Sequence, residues 1–462
     1  MAHDLTKRSL ISEEERGQWP EPLLARKGAA RAARSEKTDV WTRARRIVSE
    51  THALALVDQA VVSAVSFLTM VVIGRATSPS ELGVYALGTS LLIWLLMSQE
   101  SLITLPYTVQ QHHPLGTPSE HAGSTLTLSA LLSAFATVGL ATSALVMSVL
   151  NAPPELVAVT WALAAVVPFA LLREFGRRFA FAHLHTGTAL VLDVAVATTQ
   201  LGVIGWLAWA GWLSATTAFA AIGAACGLTG AAWLYRARGN FVIRGDQLPK
   251  AMQQSWSLGK WLLATQLTVT LQVQINYWLL AWIAGTAVTG VYAACMSVAS
   301  LANPLLLGSG NILNAKAALA FKEGGARLLR EATQDTLLLG AAMTLFSLMI
   351  LLAGEDIVRL IYPGPEYAGH GHTVTVLGLA PLAVAVGLPA WSALTSIGRT
   401  REVFLTGSFG AALTVILAWC LVADWGLPGA AYAFLGGTVA RSAARWLVFL
   451  ALVPRVTEKQ VR

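Results

Sequence analysis

Twelve apolar runs, each long enough to cross a bilayer, constrain the fold of this 462-residue chain more than any other feature. A membrane span needs about 20 mostly apolar residues. The chain is 12% charged, whereas soluble domains carry about 25% charged residues. The sequence therefore predicts an all-α polytopic membrane protein. The predicted spans are 53–75, 84–109, 123–150, 156–172, 188–210, 217–235, 261–284, 291–313, 337–353, 374–396, 403–422 and 432–453.

The distribution of Lys and Arg predicts how these spans are oriented. Cytoplasmic links are enriched in both residues. When the N-terminus is placed inside, the outer links contain only Arg359 of the 32 Lys and Arg residues, and Arg75, Arg441 and Arg445 fall within spans. Both termini are therefore expected in the cytoplasm. The net charge of +7 is spread over links and the N-terminal residues, so nucleic acid is not an expected partner.

A short repeat indicates that the chain has two similar halves. The tetrapeptide Gly-Val-Tyr-Ala at 83–86 recurs at 290–293, and in both copies it follows an apolar run and a short link. An even number of spans separates the copies, so the halves are parallel rather than inverted. The fold class predicted is two parallel, pseudo-symmetric six-helix lobes that face a central cleft.

This repeat sets the predicted domain organisation. The first fifty residues are charged on both signs and have no apolar core, so we expect a disordered cytoplasmic arm without a signal peptide, whose segment 41–48 lies on anionic lipid. The predicted units are the arm 1–50, an N-terminal lobe 53–235, a cytoplasmic linker 236–260, a C-terminal lobe 261–453 and a cytoplasmic tail 454–462.

Three sequence motifs resemble a known family. They are ELGVYALGTS at 81–90, GPEY at 364–367 and GLPGAAYAF at 426–434. In this order along twelve spans they are similar to the bacterial polysaccharide transporter family of the multidrug/oligosaccharidyl-lipid/polysaccharide exporter superfamily, over about residues 50 to 455. The link 110–122 departs from the expected pattern, because it carries His112, His113 and His121 but no Lys or Arg.

The resemblance implies a function in cell-surface polysaccharide biosynthesis. It implies a flippase of the bacterial inner membrane that moves a polyprenyl-pyrophosphate-linked oligosaccharide between leaflets by alternating access. Expected partners are this lipid-linked oligosaccharide, membrane lipids, and a glycan polymerase or ligase of the same pathway. A cation-coupled exporter of small molecules or drugs from the same superfamily is the first alternative, and a membrane glycan ligase or polymerase is the second.

Two arginines in the last span are the first candidate substrate-binding residues. Arg441 and Arg445 are four positions apart, which places both guanidinium groups on one helical face. Guanidinium groups bind phosphate oxygens bidentately and stay charged at cellular pH, so the pair suits a pyrophosphate. The alternative is that acids from neighbouring helices pair with them and stabilise the bundle.

Three acids within the spans are candidates for coupling or gating. Asp58, Glu100 and Asp193 fall in spans 1, 2 and 5, and acids that change partners between conformations can couple H⁺ or Na⁺ to transport. Asp58 and Asp193 are close to span ends, so the alternative for them is contact with interfacial water. No resident cofactor is expected beyond such a coupling ion.

Other polar residues extend the candidate site. Arg75 ends span 1, where it either contacts substrate or extends to the lipid headgroups. Pro304 follows Asn303 in span 8 and predicts a kink that could act as a hinge. Span 7 carries a polar stripe suited to sugar hydroxyls or to contacts between helices. Its members are Gln266, Thr270, Gln274 and Tyr277.

The sequence gives no sign of catalytic or metal chemistry. His370 and His372 with Glu366 are a weak metal pattern in a glycine-rich link, and a solvated loop is favoured. No phosphate-binding loop, nucleophile elbow or zinc signature is present in the sequence. The chain is therefore predicted to be a transporter and not an enzyme.

Overall fold

The computed structural model describes residues 54–111 and 116–461, which form helices joined by short links and contain no strand. The predicted arm 1–50, its lipid-contacting segment 41–48, and His112 and His113 lie outside the described residues. The helices are α1 Leu54–Ala76, α2 Pro79–Gln99, α3 Leu105–Gln110, α4 Pro118–Val149, α5 Pro154–Ala182, α6 Thr186–Trp209, α7 Ala215–Ala237, α8 Leu248–Ile283, α9 Thr286–Ala299, α10 Asn303–Glu323, α11 Gly325–Ile361, α12 Gly371–Ser396 and α13 Thr400–Val461.

These helices account for the twelve predicted spans. Ten segments of the described chain are long and apolar enough to cross a membrane. The α8 helix has 36 residues, which is long enough to span, but its Gln, Thr and Asn side chains make it more polar. The α13 helix folds back at Gly426, whose φ of 54° and ψ of −122° suit only glycine, and so supplies two spans. The all-α, two-lobe prediction is confirmed.

Several predicted span ends are wrong. The α5 helix continues to Ala182 instead of ending near residue 172, and α8 begins at Leu248, inside the predicted linker 236–260. The α11 helix extends at both ends beyond the predicted 337–353. The physical reason is that a helix keeps satisfying its backbone hydrogen bonds after its sequence becomes charged, because long side chains reach the interface.

The two lobes, α1–α7 (N-lobe) and α8–α13 (C-lobe), meet through the repeated tetrapeptide. A Cβ on Gly83 would overlap with the carbonyl oxygen of Thr286, and a Cβ on Gly290 would overlap with that of Pro79. Ser80 Oγ and Thr286 Oγ1 are 2.7 Å apart in the same contact. The two glycines at equivalent positions therefore allow α2 and α9 to pack backbone to backbone. We call this contact the α2–α9 seal.

Both helices of the seal are interrupted further along the chain. A π-helical segment, Glu100–Thr104, separates α2 from α3. A 3₁₀ segment, Ser300–Ala302, separates α9 from α10, which begins at Asn303 with Pro304 in its first turn. The helix is thus interrupted just before Pro304, where the sequence predicts a kink, and such interruptions are common at hinges and functional sites.

Candidate functional site

A central cleft of about 610 Å³ lies between α1 and α2 of the N-lobe and α8, α9 and α10 of the C-lobe. Apolar side chains such as Phe67, Met70 and Ile93 form much of its wall. None of the described residues that line the cleft carries a charge. Its polar side chains are Gln59, Ser63, Ser66, Thr89, Ser90, Gln274, Tyr277, Ser297, Ser300 and Asn303.

The predicted polar stripe of span 7 is divided between the cleft and helix contacts. Gln274 and Tyr277 line the cleft. Gln266 Nε2 lies 3.5 Å from Sδ of Met97, across the lobe interface, and Thr270 is buried. Two of the four stripe residues therefore line the cleft, and the other two are in or near contacts between helices.

Hydrogen bonds between helices stabilise the end of the cleft beside the α2–α9 seal. Trp278 Nε1 donates to Ser90 Oγ at 2.8 Å, which joins α8 to α2. Ser297 Oγ and the Tyr362 hydroxyl are 2.8 Å apart. Tyr362 also contacts Gly74 of α1, where a Cβ would overlap with its ring. The lobes are thus closely packed at this end.

Arg75 contributes to the same closed end. Its Nε donates to the carbonyl oxygen of Ile361 at 2.7 Å, and its Nη2 donates to that of Leu360. These carbonyls belong to the last turn of α11, where a cation is favourable because the helix dipole is negative there. The structure places Arg75 at a helix terminus of the other lobe and not among the cleft-lining residues.

A cluster of acids and arginines connects α1, α2, α5 and α6 within the N-lobe. Arg177 Nη2 lies 2.7 Å from Asp58 Oδ2, and Arg177 Nε lies 2.7 Å from Asp193 Oδ2. Arg178 Nη1 lies 2.8 Å from Glu100 Oε1. We call this group the N-lobe charge cluster. Its members are Asp58, Glu100, Arg173, Glu174, Arg177, Arg178 and Asp193.

The cluster corrects the expectation that Asp58 and Asp193 reach interfacial water. Their exposed fractions are 1% and 2%, and both carboxylates pair with Arg177. These partners were not predicted, because the fourth span was expected to end at residue 172 and the arginines that follow it were expected in a cytoplasmic link. The available signal was the spacing of Arg173, Glu174 and Arg177, which repeats charge on one helical face.

The two arginines of α13 lie away from the cleft. Arg441 Nη1 donates to Gln272 Oε1 of α8 at 2.8 Å. Gln272 and the cleft-lining Gln274 are two positions apart on a helix, so they point to different faces of α8. Neither Arg441 nor Arg445 is among the described residues that line the cleft, so substrate binding by the pair stays a prediction.

The other interpretation of the arginine pair, an ion pair with acids of neighbouring helices, does not hold among the described residues. No described carboxylate lies within 4 Å of either guanidinium group. Arg441 is 9% exposed, and the Nε atoms of both arginines are buried without a hydrogen-bond partner. The C-lobe therefore holds two positive charges that no carboxylate of the described residues neutralises.

One of the two histidines of the predicted outer link, His372, lies in the first turn of α12 and makes a local contact. His372 Nε2 lies 2.7 Å from the Tyr432 hydroxyl. Among the residues that the structure describes, no three His, Cys, Asp or Glu side chains are grouped as a metal site would require. His372 therefore connects α12 to the second arm of α13.

No protein-family model and no curated protein matches the sequence. Solved structures do match. An inward-facing multidrug resistance MATE family transporter of the MOP superfamily has 14% identity and a TM-score of 0.71, over 85% of this chain and 95% of the other. An outward-facing one has 11% identity and a TM-score of 0.61, over 89% and 96%.

A third structure comes from the same superfamily. A MOP superfamily transporter from Pyrococcus furiosus has 12% identity and a TM-score of 0.64, over 89% of this chain and 96% of the other. For that transporter, reverse polarity of the binding pocket suggests a different function. None of these three structures is described as a polysaccharide transporter. The chain has the two-lobe helical fold of these MATE and MOP superfamily transporters.

Proposed function

We propose that this protein exports small organic molecules across the cytoplasmic membrane by alternating access, coupled to H⁺ or Na⁺. The observation that carries the proposal is the central cleft between two lobes, in a fold shared with MATE multidrug transporters. A volume of about 610 Å³ lies in the range of drug-sized binding sites, about 300 to 1,000 Å³.

The chemistry of the cleft indicates the class of substrate. Apolar side chains form much of the lining, and hydroxyl and carboxamide groups are interspersed among them. Such a surface binds amphipathic molecules, because the apolar side chains remove apolar surface from water and the polar groups orient the ligand. The absence of charge among the described lining residues favours substrates that are neutral or weakly charged.

The closed α2–α9 seal supports an inward-facing resting state. The contact between Gly83 and Gly290 leaves no space for a substrate to leave at that end. The higher TM-score to an inward-facing transporter than to an outward-facing one agrees with this assignment. Transport then requires that the seal separates while the opposite ends of the lobes close.

The N-lobe charge cluster is our candidate coupling site. Its four carboxylates exceed its three guanidinium groups, which leaves negative charge available for a proton or a sodium ion. Asp58 precedes the cleft-lining Gln59, and Glu100 begins the π-helical segment of α2. A cation bound here would weaken the contacts to Arg177 and Arg178 and so release α1 and α2 to move.

Efflux from reconstituted vesicles tests the proposal. The full chain should expel a fluorescent organic cation or neutral dye when a pH or Na⁺ gradient is imposed. Asp58→Asn should lower the gradient-dependent rate at least tenfold, because it removes a carboxylate that binds Arg177. Asp335→Asn, which removes a carboxylate paired with Lys316 in the C-lobe, is the matched control. Equal efflux from Asp58→Asn and wild type would remove the coupling assignment.

One observation favours a second candidate, the lipid-linked oligosaccharide flippase. The polar groups of the cleft are uncharged hydroxyls and carboxamides, and these are the groups that bind sugar hydroxyls. A polymerase or ligase would then be a pathway partner. Leaflet-resolved measurement of lipid-linked sugar in a deletion strain separates the candidates. Accumulation in the inner leaflet without any change in dye efflux would favour the flippase.

A further inference from the structure

The C-lobe contains a pair of positive charges for which the described chain offers no counter-ion. Arg441 and Arg445 are separated by one helical turn, about 6 Å along the axis. Every charged member of the N-lobe cluster has an opposite charge within 4 Å, whereas no described carboxylate is that close to either of these arginines. A buried unpaired ion is costly, and two like charges this close also repel each other.

The polar side chains of α8 on the face that contacts Arg441 make only some of the hydrogen bonds available to them. Gln272 accepts from Arg441 through Oε1, and its Nε2 lies 3.4 Å from Thr438 Oγ1. The carboxamide of Asn276, one turn further along the same face of α8, is fully buried, and neither of its polar atoms has a partner. With the two arginine Nε atoms, this region contains several buried donors without acceptors.

The unused donors indicate the chemistry of the missing partner. A group that accepts hydrogen bonds and carries negative charge would satisfy the arginine Nε atoms and reduce the repulsion between the guanidinium groups. Guanidinium groups match the geometry of phosphate oxygens through parallel N–H donors. A tetrahedral oxyanion with several acceptor oxygens can contact both arginines, which are one turn apart.

We infer that Arg441 and Arg445, together with Gln272 on α8, form a binding site for a phosphate-type oxyanion. The site lies where α13 packs against α8, on a face of α8 other than the one that lines the cleft. It therefore does not depend on the proposed transport substrate. Arg445 is partly exposed, and Arg441 is buried. The shared chemistry is a phosphate group, which is supplied either by free inorganic phosphate or by the headgroup of an anionic membrane lipid.

Thermal unfolding of the purified full chain tests the site. Dodecyl maltoside is a suitable detergent because it contains no phosphate. One arm adds sodium phosphate and compares it with sodium gluconate at equal ionic strength. The other arm adds phosphatidylglycerol to the micelles. Ligands that bind only the folded state raise the unfolding midpoint, and we expect an increase of about 2 °C or more in the arm that supplies the ligand.

Three variants make the result specific. Arg445→Gln removes one binding group, so the ligand-dependent increase should disappear. Gln272→Glu places a carboxylate beside Arg441, where Oε1 already accepts at 2.8 Å. This internal anion should raise the midpoint without ligand and abolish the response. Arg359→Gln removes an exposed arginine paired with Glu355 on α11, and should respond like the wild type.

The pattern of responses decides the proposal and identifies the source. A response to inorganic phosphate that is lost in Arg445→Gln and Gln272→Glu supports the site with a free anion as ligand. The same pattern with phosphatidylglycerol alone supports a lipid headgroup. If Arg445→Gln does not fold, Gln272→Glu gives the same comparison with both arginines retained. Equal responses of Gln272→Glu and wild type, or no response in either arm, would overturn the inference.

Discussion

The two lobes share a fold, but buried arginines have carboxylate partners in the N-lobe and none among the described residues of the C-lobe. In the N-lobe, Arg177 contacts Asp58, Glu174 and Asp193, which come from α1, α5 and α6. In the C-lobe, Arg441 has a neutral carboxamide as partner. The two lobes are therefore alike in backbone fold and in the glycines of the seal, but they differ in how their buried charges are paired. Because a buried charge needs a counter-charge, the difference suggests that the N-lobe contains its own counter-ions while the C-lobe takes one from outside the chain.

The largest expected effect tests the N-lobe side of this comparison. Arg177→Met would leave the buried Asp58 carboxylate without its ion-pair partner and would remove one of the partners of Glu174 and Asp193. Removal of one member of a buried ion cluster costs about 3–5 kcal/mol. We expect the free energy of unfolding to fall by about that amount. Denaturant unfolding of the purified variant measures it. Arg359→Gln, which breaks an exposed pair, should cost under about 1 kcal/mol. Equal losses in the two variants would contradict a structural role for the cluster.

An intermediate effect is expected at the α2–α9 seal, where the two lobes are alike. Gly83→Ala and Gly290→Ala each place a methyl group against a backbone carbonyl of the facing helix, so each should weaken the seal by about 1–3 kcal/mol, the usual cost of overpacking. A disulfide between Ser80→Cys and Thr286→Cys reports closure, because the two hydroxyl oxygens are 2.7 Å apart. Its yield should fall similarly in both alanine variants.

The controls for the seal use the same cysteine background. Cys420 is exposed, so it is replaced by Ala in every variant to prevent other disulfides. Gly139→Ala introduces a methyl group where no atom lies within 4 Å, and it should leave the yield unchanged. If one tetrapeptide glycine tolerated alanine and the other did not, the seal would be asymmetric like the charges.

The smallest expected effect has the opposite sign to the first. Arg441→Met removes a buried charge for which the described residues supply no counter-ion, so in phosphate-free detergent it should leave stability unchanged or raise it by about 1 kcal/mol. The same unfolding measurement applies. The changes in the free energy of unfolding of Arg441→Met and Arg177→Met can be compared directly, since both variants exchange a buried arginine for the same apolar side chain. A loss of several kcal/mol in Arg441→Met would remove the difference between the lobes.

Much of the fold could be predicted because it depends on one-dimensional properties. Apolar runs of span length predict helices, since only helices satisfy their own backbone within lipid along a single segment. The tetrapeptide repeat predicted two halves, and Pro304 predicted a helix break that the structure contains. The ends of α5, α8 and α11 were less predictable because helical hydrogen bonding continues into charged sequence at the interface.

The candidate site was predicted less completely. The residue types were identified correctly as unusual, since charges in spans are costly wherever they point. The partners of these charged residues were not identified, because Asp58 and Arg177 are far apart in the chain. In addition, the predicted end of the fourth span was ten residues too early, which placed the arginines of α5 in a link. The sequence also gave no means of choosing between the two faces of α8, which carry Gln272 and Gln274.

The sequence by itself determined that this chain is a helical membrane protein with two similar halves, because length, apolar content and repetition are properties of the chain alone. Only the tertiary structure decided which charges are neutralised, since that depends on which helices become neighbours. Gly83 and Gly290 allow α2 and α9 to pack closely. The packing of α13 against α8 places Arg441 beside a carboxamide rather than a carboxylate. Distances in space, and not positions in the sequence, set the cost of a buried charge.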